Sequence, residues 1–453
     1  MLKPVIFKAN DIRGITEADE PEWDEVGAYA LGGALVEVFG LVGRTLVLGR
    51  DMRLSGPRMA AAFTEAVLDA GTDVVDVGLA STDELWFASG SLGLPGAMFT
   101  ASHNPGVYNG IKFCHPGARP IDPVELVAIA RRAEAGPVPP APIRGTRTEQ
   151  DVLAAYAAHL HSLVDLSGIR PLTVVADAGN GMAGHTLPAV FPGGEGAPPI
   201  EVIGLFTDPD GNFPNHPANP LIPENLLDAQ AAVRERGADL ALVFDGDADR
   251  CFIIDERGEV VSPSTVTALI AAQELGRHPG STVVINKITS RSVAEVVAEN
   301  GGTTVVTKVG HTFVKAAMAD HDAVFGGEHS AHYYFREFWG ADTGMLAALH
   351  VLAVAGRSDQ PLSALVADYE RYAASGELNT TVEDQAAVVD AVAERFAGRG
   401  ESDRVDGLTV AGDDWWVNVR PSNTEPLLRL NVEARTTEAM EALRDEALAV
   451  IRG

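Results

Sequence analysis

Cysteine is nearly absent, with only Cys114 and Cys251 in 453 residues. That excludes a disulfide framework and a paired-cysteine metal site. No apolar run approaches the roughly 18–20 residues that a membrane span needs. The start, Met1-Leu-Lys-Pro-Val-Ile-Phe-Lys8, meets Asn10-Asp11 before the apolar core of a signal peptide develops. Positive charge is scarce too: 34 Lys plus Arg face 63 Asp plus Glu, for a formal net charge of −29. A basic surface that could track phosphates is missing, which argues against nucleic acid as a partner. The expectation is a reduced, cytoplasmic protein that uses neither nucleic acid nor membrane. The same acidity repels anionic small ligands at long range, so such a ligand would need a local basic pocket.

What is present is the composition of a globular chain, 46% apolar and 21% charged. At about 100–200 residues per domain, the length predicts three or four domains. One pattern of strand, turn, helix and strand occurs three times. The strands are Thr45–Gly49 and Asp73–Gly78, then Leu172–Asp177 and Ile200–Gly204, then Ser281–Asn286 and Thr303–Thr307. Their β-branched, almost continuous apolar character suits mostly parallel sheets covered on both faces. Clustered prolines make Ala135–Arg144 a linker, after a helix opened by Asp122 and Pro123. The end of the chain differs. Strands at Leu408–Ala411, Trp415–Val419 and Leu427–Val432, with helices at Glu383–Gly398 and Thr437–Ile451, predict a smaller antiparallel α+β unit. The fold class is therefore α/β, with three similar mixed α/β sandwich domains and then a smaller α+β C-terminal domain.

Asp245-Gly-Asp-Ala-Asp-Arg250 follows the apolar run Leu240–Phe244. Three carboxylates at alternate positions on a loop can converge on one hard divalent cation. An EF-hand calcium loop shares this opening and would use Glu256, but it needs Gly where Arg250 stands, and Cys251–Ile254 reads as a strand. A solvated acidic turn is the other alternative. An open magnesium site is favoured, and Arg250 beside it points to a phosphoryl group.

Thr100-Ala-Ser-His-Asn-Pro105 follows apolar Ala97–Phe99, and Lys112 comes shortly after. Adjacent Ser102 and His103 make a poor nucleophile and base pair, and there is no nucleophile elbow, so alone the segment reads as a capped turn. Arg420-Pro-Ser-Asn-Thr-Glu-Pro426 offers hydroxyls, an amide and a guanidinium as a phosphate cradle, or an ordinary turn. Gly327-Glu-His-Ser330 supplies a carboxylate and a hydroxyl able to read sugar hydroxyls. Gly179-Asn-Gly-Met-Ala-Gly184 matches the dinucleotide-binding pattern, with Asp208 beyond. An NAD-dependent dehydrogenase would leave the Ser102, Asp245 and Arg420 segments unexplained.

Together with Phe7–Gly14, the four segments around Ser102, Asp245, Glu328 and Arg420 occur in order at domain-sized intervals. The set resembles the α-D-phosphohexomutase family, and its phosphomannomutase/phosphoglucomutase branch most closely. The resemblance implies four domains around a central cleft, each giving one loop. These are residues 1–146 with a phosphoserine loop, 147–256 with a metal loop, 257–371 with a sugar loop and 372–453 with a phosphate loop. It implies that Ser102 carries the phosphoryl group, and that Asp245, Asp247 and Asp249 hold Mg²⁺ together with the Ser102 phosphate. Arg13, Arg250 and His103 would attend the phosphoserine. Lys112 and His332 are the candidates for proton transfer. Lys287, His311, Glu328, Ser330, Arg420, Ser422, Asn423 and Thr424 would hold the substrate, with a hexose 1,6-bisphosphate as intermediate and activator. A hinge is expected near Ala373–Leu378, and a monomer or homodimer is expected. Asn10 stands where many members carry Tyr, and His329 where Met is common; the GEHS form also occurs in glucosamine-type mutases. Asn423 and Ala331–Arg336 fit the mannose/glucose branch. Mannose phosphate is the expected substrate with glucose phosphate accepted, and phosphoglucosamine is the runner-up.

Overall fold

The computed structural model describes residues 1–194, 196–422 and 427–453. The chain forms two compact units, one of Met1–Val261 with His332–Ser363 and one of Ser262–Ala331 with Ala364–Gly453. Among the described residues, no helix is long and apolar enough to cross a membrane.

The first unit contains two mixed sheets. In one, Thr45–Arg50 lies centrally, parallel to Asp73–Leu79 and Gly96–Phe99. Its Leu46, Val47 and Leu48 are buried, as expected of a strand covered on both faces. In the other, Leu172–Asp177 runs parallel to both Ile200–Leu205 and Leu240–Phe244. The sheets are less parallel than the repeat predicts, because two return strands run back antiparallel. Tyr108–His115 pairs with Gly96–Phe99, and Cys251–Asp255 pairs with Leu240–Phe244. The loops between them, 100–107 and 245–250, are too short for a parallel crossover, which needs about a dozen residues or more. Both therefore emerge at the carboxyl ends of parallel strands, where α/β sheets bind ligands. The Asp245 loop is thus the tip of a β-hairpin, and Glu256 instead accepts from Ser363, so the EF-hand alternative is excluded.

The Pro-rich stretch is pinned rather than loose, since the Ala141 and Gly145 amides donate to the carbonyls of Asp69 and Leu68. The strand Arg147–Glu149 then joins the edge of the first sheet beside Asp73–Leu79, past the boundary expected at residue 146.

In the second unit, Thr282–Asn286 runs parallel to Thr303–Thr307 and to Phe325–Gly327. The C-terminal sheet is antiparallel, with Leu427–Ala434 beside Trp415–Pro421 and then Leu408–Ala411. Val417, Val419, Leu428, Leu430 and Val432 pack on one face with residues of the helices Gln385–Arg395 and Thr437–Arg452. The opposite face carries Trp416, Asn418, Arg420, Arg429, Asn431 and Glu433 by strand alternation. Ala373–Ala374 and Leu378–Thr381 both hydrogen-bond to Leu427–Ala434. The stretch where a hinge is expected thus contributes Ala373–Ala374 and Leu378 to the C-terminal sheet.

Candidate active site

In the first unit, the Ser102 loop is held from beneath by Arg53. Its Nη2 donates to the carbonyls of Ser102 and Asn104, both at 2.7 Å. Nη1 donates to those of Pro105 at 2.8 Å and Tyr108 at 2.9 Å, and Nε reaches Asp51 Oδ2 at 3.1 Å. Arg53 is 1% exposed. Ser102 itself sits at φ +50°, a left-handed conformation costly for a non-glycine residue, of the kind that concentrates at functional sites. Ala248 in the Asp245 loop and Ala331 beside the GEHS segment share it. Sequence reasoning missed Arg53. The available signal was its place in the polar turn after a buried parallel strand.

The Asp245 hairpin tip meets this loop so closely that a Cβ on Gly246 would lie 2.5 Å from the Ser102 carbonyl oxygen. The contact brings Ser102 Oγ to 2.8 Å from Asp245 Oδ2, to which it donates. Arg250 donates to the same oxygen through Nε at 2.8 Å and Nη2 at 2.6 Å, and Nη2 also reaches His103 Nδ1 at 2.6 Å. Burial first, and then the Arg250 and Arg13 guanidiniums, hold His103 well below the usual imidazole range, so the ring is neutral. Lys112, on the return strand, donates to Asp247 Oδ2 at 2.7 Å and Asp249 Oδ2 at 2.6 Å. Burial opposes its charge, but the two carboxylates outweigh that and raise its pKa, so the side chain is an ammonium. Arg13 donates to Asn104 and Asp11, while its buried Nε lacks a hydrogen-bond partner. His332 Nε2 lies 3.6 Å from Asp249 Oδ1. One unit therefore gathers Ser102, His103, Lys112, Arg13, Arg250, His332 and the three aspartates.

The donor set fits a hard divalent cation. Asp245, Asp247 and Asp249 each place a carboxylate oxygen within 4.8 Å of the others, in a buried setting. The Oδ1 atoms of Asp247 and Asp249 are buried and accept no hydrogen bond. Orphaned carboxylate oxygens are costly unless a cation takes them. Thr82 orients Asp247, donating through its hydroxyl to Oδ2 at 2.6 Å and through its amide to the carbonyl at 3.0 Å. A capping box between Ser81 and Glu84 starts the helix that carries Thr82. The Gly179–Gly184 segment has a packing explanation instead of a dinucleotide. A Cβ at Gly181 would lie 2.7 Å from the Gly246 carbonyl oxygen, and one at Gly184 would lie 1.9 Å from that of Thr207.

The second unit gathers the other candidates. Glu328 Oε1 accepts from Asn286 Nδ2 at 3.1 Å and from the Gly310 amide at 3.0 Å, just before His311. Lys287 is paired with Asp403 at 2.6 Å. His329, beside Glu328 and Ser330, is lowered by burial and by the charge of Arg420, against the opposing charge of Glu377. His329 of the GEHS segment and Arg420 thus share one electrostatic neighbourhood. Ser422 donates its amide to the Leu427 carbonyl at 2.9 Å. Asn423 and Thr424 lie outside the described residues.

Four models of the phosphoglucomutase/phosphomannomutase family match in order along the chain. Its α/β/α domains I, II and III match residues 4–137, 154–258 and 262–372, and its C-terminal domain matches 377–450. This chain belongs to that family. It is 40% identical to a phosphomannomutase of Salmonella typhimurium, covering 100% of both chains. It is 39% identical to a protein of Xanthomonas campestris named phosphohexose mutases, over 99% of each. A crystal structure of a family protein from Burkholderia thailandensis matches with a TM-score of 0.90 and 32% identity, covering 100% of this chain and 98% of that one. The chain is a phosphohexomutase with the four-domain α/β architecture of the family. In the mutase, the 262–372 match takes in residues of both compact units.

Proposed function

We propose that this mutase interconverts the 1- and 6-phosphates of mannose, and accepts those of glucose, through a phosphoserine at Ser102 and a hexose 1,6-bisphosphate. The observation that carries this reading is the Ser102 hydroxyl, 2.8 Å from an aspartate of a three-carboxylate loop and flanked by Arg250 and His103. The four domains follow the boundaries expected above, with the first extended to include Arg147–Glu149.

In the forward half-reaction, the free hydroxyl oxygen of the hexose phosphate bonds to phosphorus as the bond from phosphorus to Ser102 Oγ breaks. The hydroxyl proton passes to a base, and Ser102 Oγ takes a proton as it leaves. Reversal on the other phosphate restores phosphoserine. Lys112 is already an ammonium between two carboxylates, so it serves as fixed positive charge. His332, close to Asp249, is the better-placed proton acceptor. Neutral His103 and cationic Arg250 hold the phosphoserine oxygens. Mg²⁺ at Asp245, Asp247 and Asp249 would neutralise developing charge on the transferring group. Glu328 and Ser330 read sugar hydroxyls, Lys287 and His311 add further substrate contacts, and Arg420, Ser422, Asn423 and Thr424 grip the phosphate that is not reacting.

The test is a side-by-side assay of mannose, glucose and glucosamine 1-phosphates with Mg²⁺ and a hexose 1,6-bisphosphate, together with intact-mass analysis of the protein. A phosphate adduct on the Ser102 peptide is expected, with turnover lost in Ser102→Ala. Full activity in that variant would overturn the mechanism. Preference for glucosamine 1-phosphate would overturn the sugar assignment alone.

A further inference from the structure

Two successive amides of one turn are held by carboxylates from two different domains. The turn is Val309–Gly310, just ahead of the helix His311–Asp320. The Gly310 amide donates to Glu328 Oε1 at 3.0 Å, within the match to domain III. The Val309 amide donates to Asp406 Oδ2, also at 3.0 Å, and Asp406 belongs to the match to the C-terminal domain. Gly310 stands at φ +136°, where only glycine is at ease, so the turn relies on what holds it from outside. Asp406 lies in the tip of the hairpin formed by Glu401–Asp403 and Leu408–Ala411, and its own sheet fixes that tip. The Asp406 carbonyl accepts from the fully buried Asn418 through Nδ2 at 2.9 Å. A Cβ on Gly407 would lie 2.4 Å from the Val419 carbonyl oxygen and 2.6 Å from Arg420 Cα. The tip therefore rests directly on the strand that carries Arg420. A second contact, from Lys287 to Asp403 at 2.6 Å, is partly exposed and adds little stability. What the tip supplies is geometry: a fixed acceptor at Asp406 facing a turn that needs support.

Resting on the mutase reading above, we propose that Asp406 is a positioning residue for the sugar-reading part of the site. Its carboxylate fixes the Val309 amide, the next amide then meets Glu328, and His311 begins its helix from a set point. Glu328 is 1% exposed and also accepts from Asn286 Nδ2, so a shift of the turn removes one of the donors that hold this carboxylate. Bonds from backbone amides to a carboxylate are charge-assisted and therefore directional enough to set such a position. Asp406 meets no substrate in this role and acts through the turn. Because the same tip leans on Arg420, the sugar contacts are complete only with the C-terminal domain docked on its neighbour. Asp406 stands 97 positions from Val309, so only the fold joins them.

The test uses the full-length enzyme and the variants Asp406→Ala, Asp406→Asn and Asp390→Asn. Asp406→Ala should raise KM for mannose 1-phosphate by about tenfold while kcat changes less, because binding common to ground and transition states is lost. Hydrogen exchange at the Val309 and Gly310 amides should quicken by about tenfold. Inorganic phosphate, followed by calorimetry, should bind within about twofold of the parent, since Arg420 is untouched. Asp406→Asn should restore most of the loss, because its amide oxygen can accept the same bond. Asp390→Asn removes the exposed pair with Arg404 on the same tip and should change neither KM nor exchange. A KM within about twofold of the parent in Asp406→Ala overturns the proposal, as does unchanged exchange at residues 309–310. Phosphate binding weakened as far as KM, or an equal effect from Asp390→Asn, overturns it too, since either means that the whole domain has loosened. Should Asp406→Ala fail to fold, Asp406→Ser, whose hydroxyl is one bond too short to reach Val309, decides in its place. An unmutated enzyme without mutase turnover would sink the functional reading instead, and exchange at residues 309–310 would still judge Asp406.

Discussion

Replacing Arg53 should disable the enzyme without touching a group that meets substrate. Arg53→Met removes five side-chain hydrogen bonds, four to carbonyls of the Ser102 loop and one to Asp51. Each orphaned buried acceptor costs about 1–3 kcal/mol, and breaking a buried ion pair costs about 3–5 kcal/mol. These terms overlap and are not additive, yet even a fraction of them exceeds the ~1–2 kcal/mol by which a left-handed non-glycine residue is disfavoured. Ser102 should therefore leave φ +50°, and its hydroxyl should leave Asp245. A loss of ~3 kcal/mol in transition-state stabilisation corresponds to about 10²-fold in kcat. KM should move far less, because the proposed substrate contacts Glu328, Lys287 and Arg420 belong to the other compact unit. Arg53→Lys should fail nearly as badly, since one ammonium has three donors and no planar fork. The assays are steady-state kinetics and hydrogen exchange of the amides of residues 102–108. A kcat within about threefold of the parent, with unchanged exchange, would refute this reasoning.

Thr82→Val keeps the shape of Thr82 but removes its 2.6 Å bond to Asp247, so Mn²⁺ binding followed by electron paramagnetic resonance should weaken by about 10–100-fold. Unchanged affinity would show that Asp247 needs no support from Thr82. A pH effect should come from Asp83. Burial pushes its carboxyl up to about 7, against the lowering influence of the Ser81, Tyr156 and Thr343 hydroxyls. The folded pKa is raised, so the stability contributed is full below the unfolded value of about 3.9 and is lost as pH rises through about 7. About three pH units correspond to a limit of ~4 kcal/mol. Asp83→Asn should therefore lose less stability than the parent between about pH 5 and pH 8, as read by urea resistance to proteolysis. Identical pH profiles would refute it.

The chemistry of the loops was legible because their donors are local. Asp245, Asp247 and Asp249 alternate within one turn, and the apolar strand before them places the turn at the carboxyl end of a buried sheet strand. The strand, turn and helix repeats were legible for a similar reason, since parallel buried strands read as continuous apolar runs. Less visible were the groups that hold the loops in place. Nothing near Arg53 in sequence announces the carbonyls it meets some fifty positions later. Nor does Arg429 announce Arg420, because only the register of two strands makes them neighbours. The pairing of Ala373–Ala374 and Leu378–Thr381 with Leu427–Ala434 was equally hidden, because partners so far apart in sequence are set only by the fold.

By itself, then, the sequence determined which functional groups the enzyme owns, their order along the chain and the class of chemistry they suit. The tertiary structure alone decided which of them meet. Ser102 and Asp245 stand 143 positions apart and touch because two hairpin loops leave neighbouring sheets with glycine at the crossing. The same applies to the puzzle of an acidic protein with an anionic substrate. The net charge of −29 is a sum over the whole chain. Coulomb attraction at a site depends on the few charges within a Debye length and on their burial, and folding sets those distances.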